Sequence, residues 1–99
     1  MSTPQIALVL SGGGARGAYE AGVIRYLREE LPISVRARVR FDLLCGTSVG
    51  AINACFLAAT ADVPEGQGAA LTAMWSELSL EKVYKVHGED LWTLTRKMW

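Results

Sequence analysis

Two glycine-flanked clusters carry the residue types and spacing for chemistry in this chain. Gly46-Thr47-Ser48-Val49-Gly50 fits G-x-S-x-G, and Gly12-Gly13-Gly14-Ala15-Arg16-Gly17 fits G-x-G-x-x-G. In the first, a serine hydroxyl sits between two glycines, at a change from an apolar run to a helical pattern. That is the arrangement of a nucleophile elbow, in which a sharp strand-to-helix turn lifts the hydroxyl above the sheet edge. The helix that follows favours negative charge developing at its N-terminus. In the second cluster, successive glycines let backbone N–H groups point into one concavity, again in front of a helix. Such a cradle binds an anion, either a pyrophosphate or the oxyanion of an acyl-transfer intermediate.

Each cluster alone has other readings. A dinucleotide-binding loop wants an acidic residue about 20 positions on, at the end of the second strand. Asp42 stands at the wrong end of that strand, and no Gly-Lys-Ser/Thr follows the glycines as a phosphate-binding loop of nucleotide hydrolases requires. A noncatalytic anion- or nucleotide-binding module remains the alternative to catalysis. Together the clusters favour catalysis. Adjacent parallel strands joined by one crossover helix bring both C-terminal loops to the same sheet edge, a nucleophile beside a group of donors.

The elements that position them follow from the hydrophobic pattern. Ile6–Leu10 is a continuous apolar run bounded by Pro4 and Ser11-Gly12-Gly13-Gly14, which predicts a strand buried on both faces. Residues 16–31 predict a helix with Tyr19, Val23, Tyr26 and Leu27 along one face, ended by Pro32. Residues 41–45 predict a second buried strand, and 51–61 a small-residue helix buried all round. Residues 62–68 read as a loop, 69–78 and 90–99 as further amphipathic helices, and 84–88 as an irregular link. The predicted fold is α/β, in the order β-α-β-α-α-α, with a parallel crossover between the strands. Two parallel strands cannot cover their own faces and edges. The chain therefore reads as the first part of a larger three-layer α/β/α domain with a parallel central sheet.

Between the first helix and second strand, Ile33-Ser34-Val35-Arg36-Ala37-Arg38-Val39-Arg40 alternates apolar and basic residues. Extended, it would place three arginines on one side, as a solvated edge or loop or as a contact for anionic lipid headgroups or a phosphorylated substrate.

Composition narrows the classes. The 99 residues are 51% hydrophobic and 20% charged, a folded rather than a disordered composition. Ten basic and ten acidic residues cancel, which disfavours nucleic acid as a partner. Cys45 and Cys55 lie in apolar runs, predicting buried reduced thiols. No signal peptide is read in the first residues, and the most apolar window, residues 41–61, is too polar to span a membrane. A cytoplasmic chain is expected, with neither metal nor organic cofactor.

Leu10–Tyr19, together with Phe41-Asp42 and Gly46-Thr47-Ser48-Val49-Gly50-Ala51-Ile52-Asn53-Ala54, resembles the patatin-like phospholipases closely over about residues 6–60. The resemblance implies a lipid acyl hydrolase with a serine–aspartate dyad. Carried over, Ser48 is the nucleophile, the amides of Gly12, Gly13 and Gly14 form the oxyanion hole, and Arg16 holds that loop. Its substrate would be a lipid ester, met at a membrane periphery. The family's catalytic aspartate belongs to an Asp-Gly-Gly/Ala motif, whereas Asp42, Asp62 and Asp90 precede Leu43, Val63 and Leu91. Asp42 belongs to the strand before the elbow and is not the dyad acid. Residues 1–99 are thus expected to form the N-terminal part of a single such domain, ending before the dyad acid. Alone they would be inactive on esters and self-associating through uncovered sheet or helix surface. Asp62, Glu77 and His87 are the remaining acid and base candidates, with His87 read as an exposed histidine. Trp75, Trp92 and Trp99 read as helix-face packing residues.

Overall fold

The computed structural model describes residues 4–78 and Arg96. Strand β1 (Ala7–Leu10) is followed by helix α1 (Arg16–Arg25), which continues into a π-helical stretch, Tyr26–Glu30. A single short turn, α2 (Ile33–Arg36), leads to strand β2 (Leu43–Gly46), helix α3 (Val49–Ala59) and helix α4 (Gln67–Glu77). The predicted helices at 69–78 and 16–31 are therefore present within a few residues. The expected helix at 90–99, the link at 84–88, His87, Trp92 and Trp99 lie outside the described residues, apart from Arg96.

The strands pair in parallel, Ala7 with Leu43, Leu8 with Leu44, Val9 with Cys45 and Leu10 with Gly46. The α/β expectation with a parallel crossover holds. The register also shows a period of two that the uniform apolar runs concealed. Leu8, Leu10 and Leu44 face the helices, whereas Val9 is 73% and Leu43 55% exposed. Burial on both faces is thus corrected to burial on one face among the described residues. Cys45, paired with Val9 on the open face, is an exposed free thiol, and so is Cys55 on α3. The expectation of buried cysteines fails because an apolar neighbourhood in sequence does not select the inward side of a strand or helix.

The core consists of Leu10, Ala21, Ile24, Ala54, Leu57 and Leu71, with Leu8, Leu44, Phe56, Met74 and Trp75 packed against it. Helix α3 buries Gly50, Asn53, Ala54 and Leu57, one stripe at i, i+3, i+4 and i+7, while Ile52 and Cys55 face outward. The all-round burial expected for residues 51–61 gives way to this one-sided packing. Its alanines and glycine raise the mean hydropathy without marking a face. Helix α1 turns in the opposite sense from its bulky stripe. Gly17, Ala21 and Ile24 are buried, whereas Tyr19 is 77% exposed and Val23 and Tyr26 also face outward.

Close approach explains that choice. A side chain at Gly17 would run into the ring of Trp75 on α4, and one at Gly68 would run into the Arg25 backbone of α1. The α1–α4 crossing is therefore set by two glycines, and bulky residues would hold the helices apart. Gly17→Ala is expected to destabilise the fold by about 1–3 kcal/mol, the range for overpacking. Trp75→Leu should restore part of that loss in the double variant, giving a coupling measurable by urea denaturation.

The segment between α1 and β2 is also corrected. Pro32 ends the first helix as expected, with Leu31 already extended at φ −66°, ψ 151°. Beyond it, Ile33–Arg36 is helical, so the arginines do not line one side of an extended strand. Arg36 donates to the Glu29 carbonyl at 2.7 Å, and Arg40 pairs with Asp42 at 3.3 Å. Asp42 in turn accepts from the Ile6 amide at 2.8 Å, fastening the starts of both strands. Its place is the sheet end opposite Ser48.

Candidate active site

Both C-terminal loops of the strand pair meet at one edge. The Thr47 amide donates to the Leu10 carbonyl at 3.1 Å, continuing the ladder one step beyond β2. A side chain at Gly12 would lie 3.1 Å from the Ser48 Cβ and 3.1 Å from the Thr47 carbonyl oxygen. The glycine loop and the serine, 36 positions apart, are therefore packed too closely to leave ordinary room for a side chain at Gly12.

Ser48 itself has φ 56° and ψ −123°, the one positive φ at a non-glycine position among the described residues. Backbone sterics disfavour this conformation for any residue with a Cβ, at a cost of about 1–3 kcal/mol. The surroundings enforce it. A Cβ at Gly46 would coincide with the Gly50 and Ala51 backbone, and one at Gly50 with the Leu10 carbonyl. The two flanking glycines thus let the turn fold back on itself and against the end of β1. Ser48 is left exposed immediately before α3. Gly46→Ala has no flexible side chain to displace and is expected to lower stability by more than 3 kcal/mol. Thermal denaturation would measure the loss.

In the glycine loop, Gly13 has φ +136° and Gly14 φ +58°. Arg16 lies across Gly13: its amide donates to the Gly13 carbonyl at 3.2 Å, and its Cδ is 2.8 Å from the position of a Gly13 Cβ. The Gly17 amide donates to the Gly14 carbonyl at 3.0 Å, starting α1. The third glycine of the motif has a different reason from the first two, since its missing side chain makes room for Trp75.

Sequence patterning passed over a polar group behind these loops. Asn53, one turn and a half beyond Ser48 on α3, is fully buried. Its Nδ2 donates to the Gly17 carbonyl at 3.1 Å and to Glu20 Oε2 at 3.2 Å, and its Oδ1 accepts from Trp75 Nε1 at 2.9 Å. Glu20 Oε1 also accepts, at 3.5 Å, from the hydroxyl of Ser11, the residue before the glycines. An asparagine inside an otherwise apolar helix was the available signal, because a polar amide is buried only where partners await it.

The other candidates lie elsewhere. Asp62 is beyond the far end of α3, separated from Ser48 by about 16 Å of helix at 1.5 Å per residue. Glu77 is exposed at the end of α4. Two cavities of about 400 and 180 Å³ share Arg28, Val39 and Pro64, at the sheet end away from Ser48. There burial pushes the Arg28 guanidinium below its ordinary range, opposed by the charge of Glu65. The backbone geometry of the elbow, rather than cavity volume, marks the candidate site. Among the described residues no group of three or more His, Cys, Asp or Glu is placed to hold a metal ion. No helix among them is long and apolar enough to cross a membrane.

The sequence profile of the patatin-like phospholipases matches residues 8–98. The chain belongs to the patatin-like phospholipase family. It is 45% identical over 58 residues to a lysophospholipase nte1 of Aspergillus terreus, covering 59% of this chain and 3% of that protein. It is 40% identical over 80 residues to the patatin-like phospholipase domain-containing protein ZK370.4 of Caenorhabditis elegans, covering 74% and 5%. Over 52 residues it is 48% identical to a cGAMP-activated phospholipase of Pseudomonas aeruginosa, covering 52% and 15%. The chain thus spans a small fraction of each of these relatives. No solved structure matches it.

Proposed function

We propose that this patatin-like chain carries the nucleophile and oxyanion-binding half of a lipid acyl hydrolase. The reading rests on one observation above all: Ser48, in a strained backbone conformation at the start of α3, lies so close to the Gly12 loop that a side chain at Gly12 would crowd it. The hydroxyl oxygen of Ser48 attacks the ester carbonyl carbon of a lipid, and its proton passes to a carboxylate. The carbonyl oxygen becomes an oxyanion that accepts hydrogen bonds from the amides of Gly12, Gly13 and Gly14, with Arg16 bracing the loop. Collapse expels the alcohol, which takes the proton, and water then releases the acid from Ser48 by the same steps. The family resemblance assigns the carboxylate to an aspartate in Asp-Gly-Gly/Ala, a motif that none of Asp42, Asp62 or Asp90 occupies.

The names of the relatives as phospholipases and lysophospholipases support a phospholipid or lysophospholipid ester as the substrate class. Such a substrate is met at a membrane surface. Reaction of the full-length protein with a fluorophosphonate probe tests the reading. Covalent labelling at Ser48 is expected. A folded protein that binds nucleotides or other anions and leaves Ser48 unlabelled would instead establish the noncatalytic binding module.

A further inference from the structure

Asn53 makes three hydrogen bonds from a fully buried amide, and they join three helices. Its orientation is fixed by its partners. Turned over, its oxygen would face the Gly17 carbonyl and the Glu20 carboxylate, two acceptors, and the Trp75 N–H would face a donor. Gly17 ends the glycine motif, and Glu20 reaches back to Ser11 at the motif's start. Asn53 belongs to the helix that Ser48 opens. We propose that Asn53 is a positioning residue, locked by Trp75, that sets the glycine loop in register with Ser48.

The inference rests on the hydrolase reading and goes beyond it, since neither Asn53 nor Trp75 touches the reacting atoms. The separation that matters is between the Gly12–Gly14 amides and Ser48 Oγ. Those groups sit on different strand ends, and the Leu10–Thr47 hydrogen bond and the close packing of Gly12 toward Ser48 leave the loop's tilt to α1. Asn53 holds α1 at Gly17 and Glu20, in the turns that directly follow the loop. Trp75 completes the clamp twice over. Its ring occupies the space that Gly17 leaves, and its N–H donates to the amide oxygen. The position of α4 is thereby coupled to the oxyanion loop.

Trp75→Phe keeps an aromatic side chain but removes the N–H and the outer part of the indole over Gly17, whereas Asn53→Leu keeps the branched shape and removes every side-chain hydrogen bond. In the full-length protein both are expected to lower kcat, and the rate of fluorophosphonate labelling at Ser48, by about 10- to 100-fold, the scale for misplacing groups near the chemistry by an ångström. KM for a short-chain ester should stay within about threefold of wild type, since the loop acts on the transition state. The measurements are made well below the melting temperature of each variant. Folded variants with wild-type kcat and labelling, or with a loss confined to KM, would overturn the inference. Should Asn53→Leu fail to fold, Trp75→Phe decides. A wild-type protein whose Ser48 takes no label removes the hydrolase reading itself, and this inference with it. Labelled wild type beside equally labelled variants removes the inference alone.

Discussion

Ser48→Ala in the full-length protein is expected to abolish ester hydrolysis, lowering kcat by on the order of 10⁶-fold, the scale for removing a serine nucleophile. The hydroxyl supplies the bond-forming oxygen, and alanine has nothing to replace it. The fold should be unaffected, because Ser48 is exposed and its neighbours enforce the backbone conformation whatever the side chain. A second substitution separates chemistry from strain. Ser48→Gly is equally inactive, yet it relaxes φ 56°, ψ −123°, and is expected to raise stability by about 1 kcal/mol over Ser48→Ala. Ester turnover and urea denaturation of the two variants give both answers. Turnover by a folded Ser48→Ala protein within a few-fold of wild type would exclude Ser48 as nucleophile. Equal stability of the two variants would mean that the elbow holds no strain.

The fold at the site was legible because it is written in backbone requirements. Gly46 and Gly50 have no room for a side chain, and Gly13 and Gly14 have positive φ. Such needs leave glycines at fixed offsets, and two loops after parallel strands must share an edge. The faces of the helices were not legible. Along α1 and the π-helical stretch after it, the bulky Tyr19, Val23 and Tyr26 suggest the buried stripe, but close packing on α4 selects Gly17 and Ala21 instead. Hydrophobic periodicity weighs transfer energy and overlooks interhelical distance, and α4 reveals its demand only through contacts some 50 residues away in sequence. The same blindness hid Asn53, whose partners come from α1 and α4. The arginine alternation of residues 33–40 misled for another reason. A four-residue helix after Pro32 satisfies its own backbone amides locally, and Arg36 and Arg40 then find separate partners.

Gly13→Ala is expected to reduce kcat by 10²–10³-fold with little change in KM, the signature of losing an oxyanion donor, at about that magnitude. Two features of the loop make Gly13 more demanding than its neighbour. Its φ of +136° lies where residues with a Cβ are rarely found, and the new methyl would press on Arg16 Cδ at 2.8 Å. Relief requires either a backbone rotation, which reorients the Gly13 amide, or displacement of the arginine stem beside it. Gly14 provides the internal comparison. Its φ of +58° is the ordinary left-handed conformation, and a Cβ there would meet nothing within 4 Å. Gly14→Ala should therefore cost about 1–2 kcal/mol of local strain without a steric push on the loop. Its effect on kcat should be at least tenfold smaller than that of Gly13→Ala. Asparagine, which tolerates left-handed backbone, should recover most of the activity at position 14 and none at position 13. Steady-state kinetics of the four single variants on one short-chain ester decide the matter. Equal losses at the two positions would indicate a loop that merely needs glycine flexibility, and a loss confined to KM would assign the loop to substrate binding instead of the oxyanion.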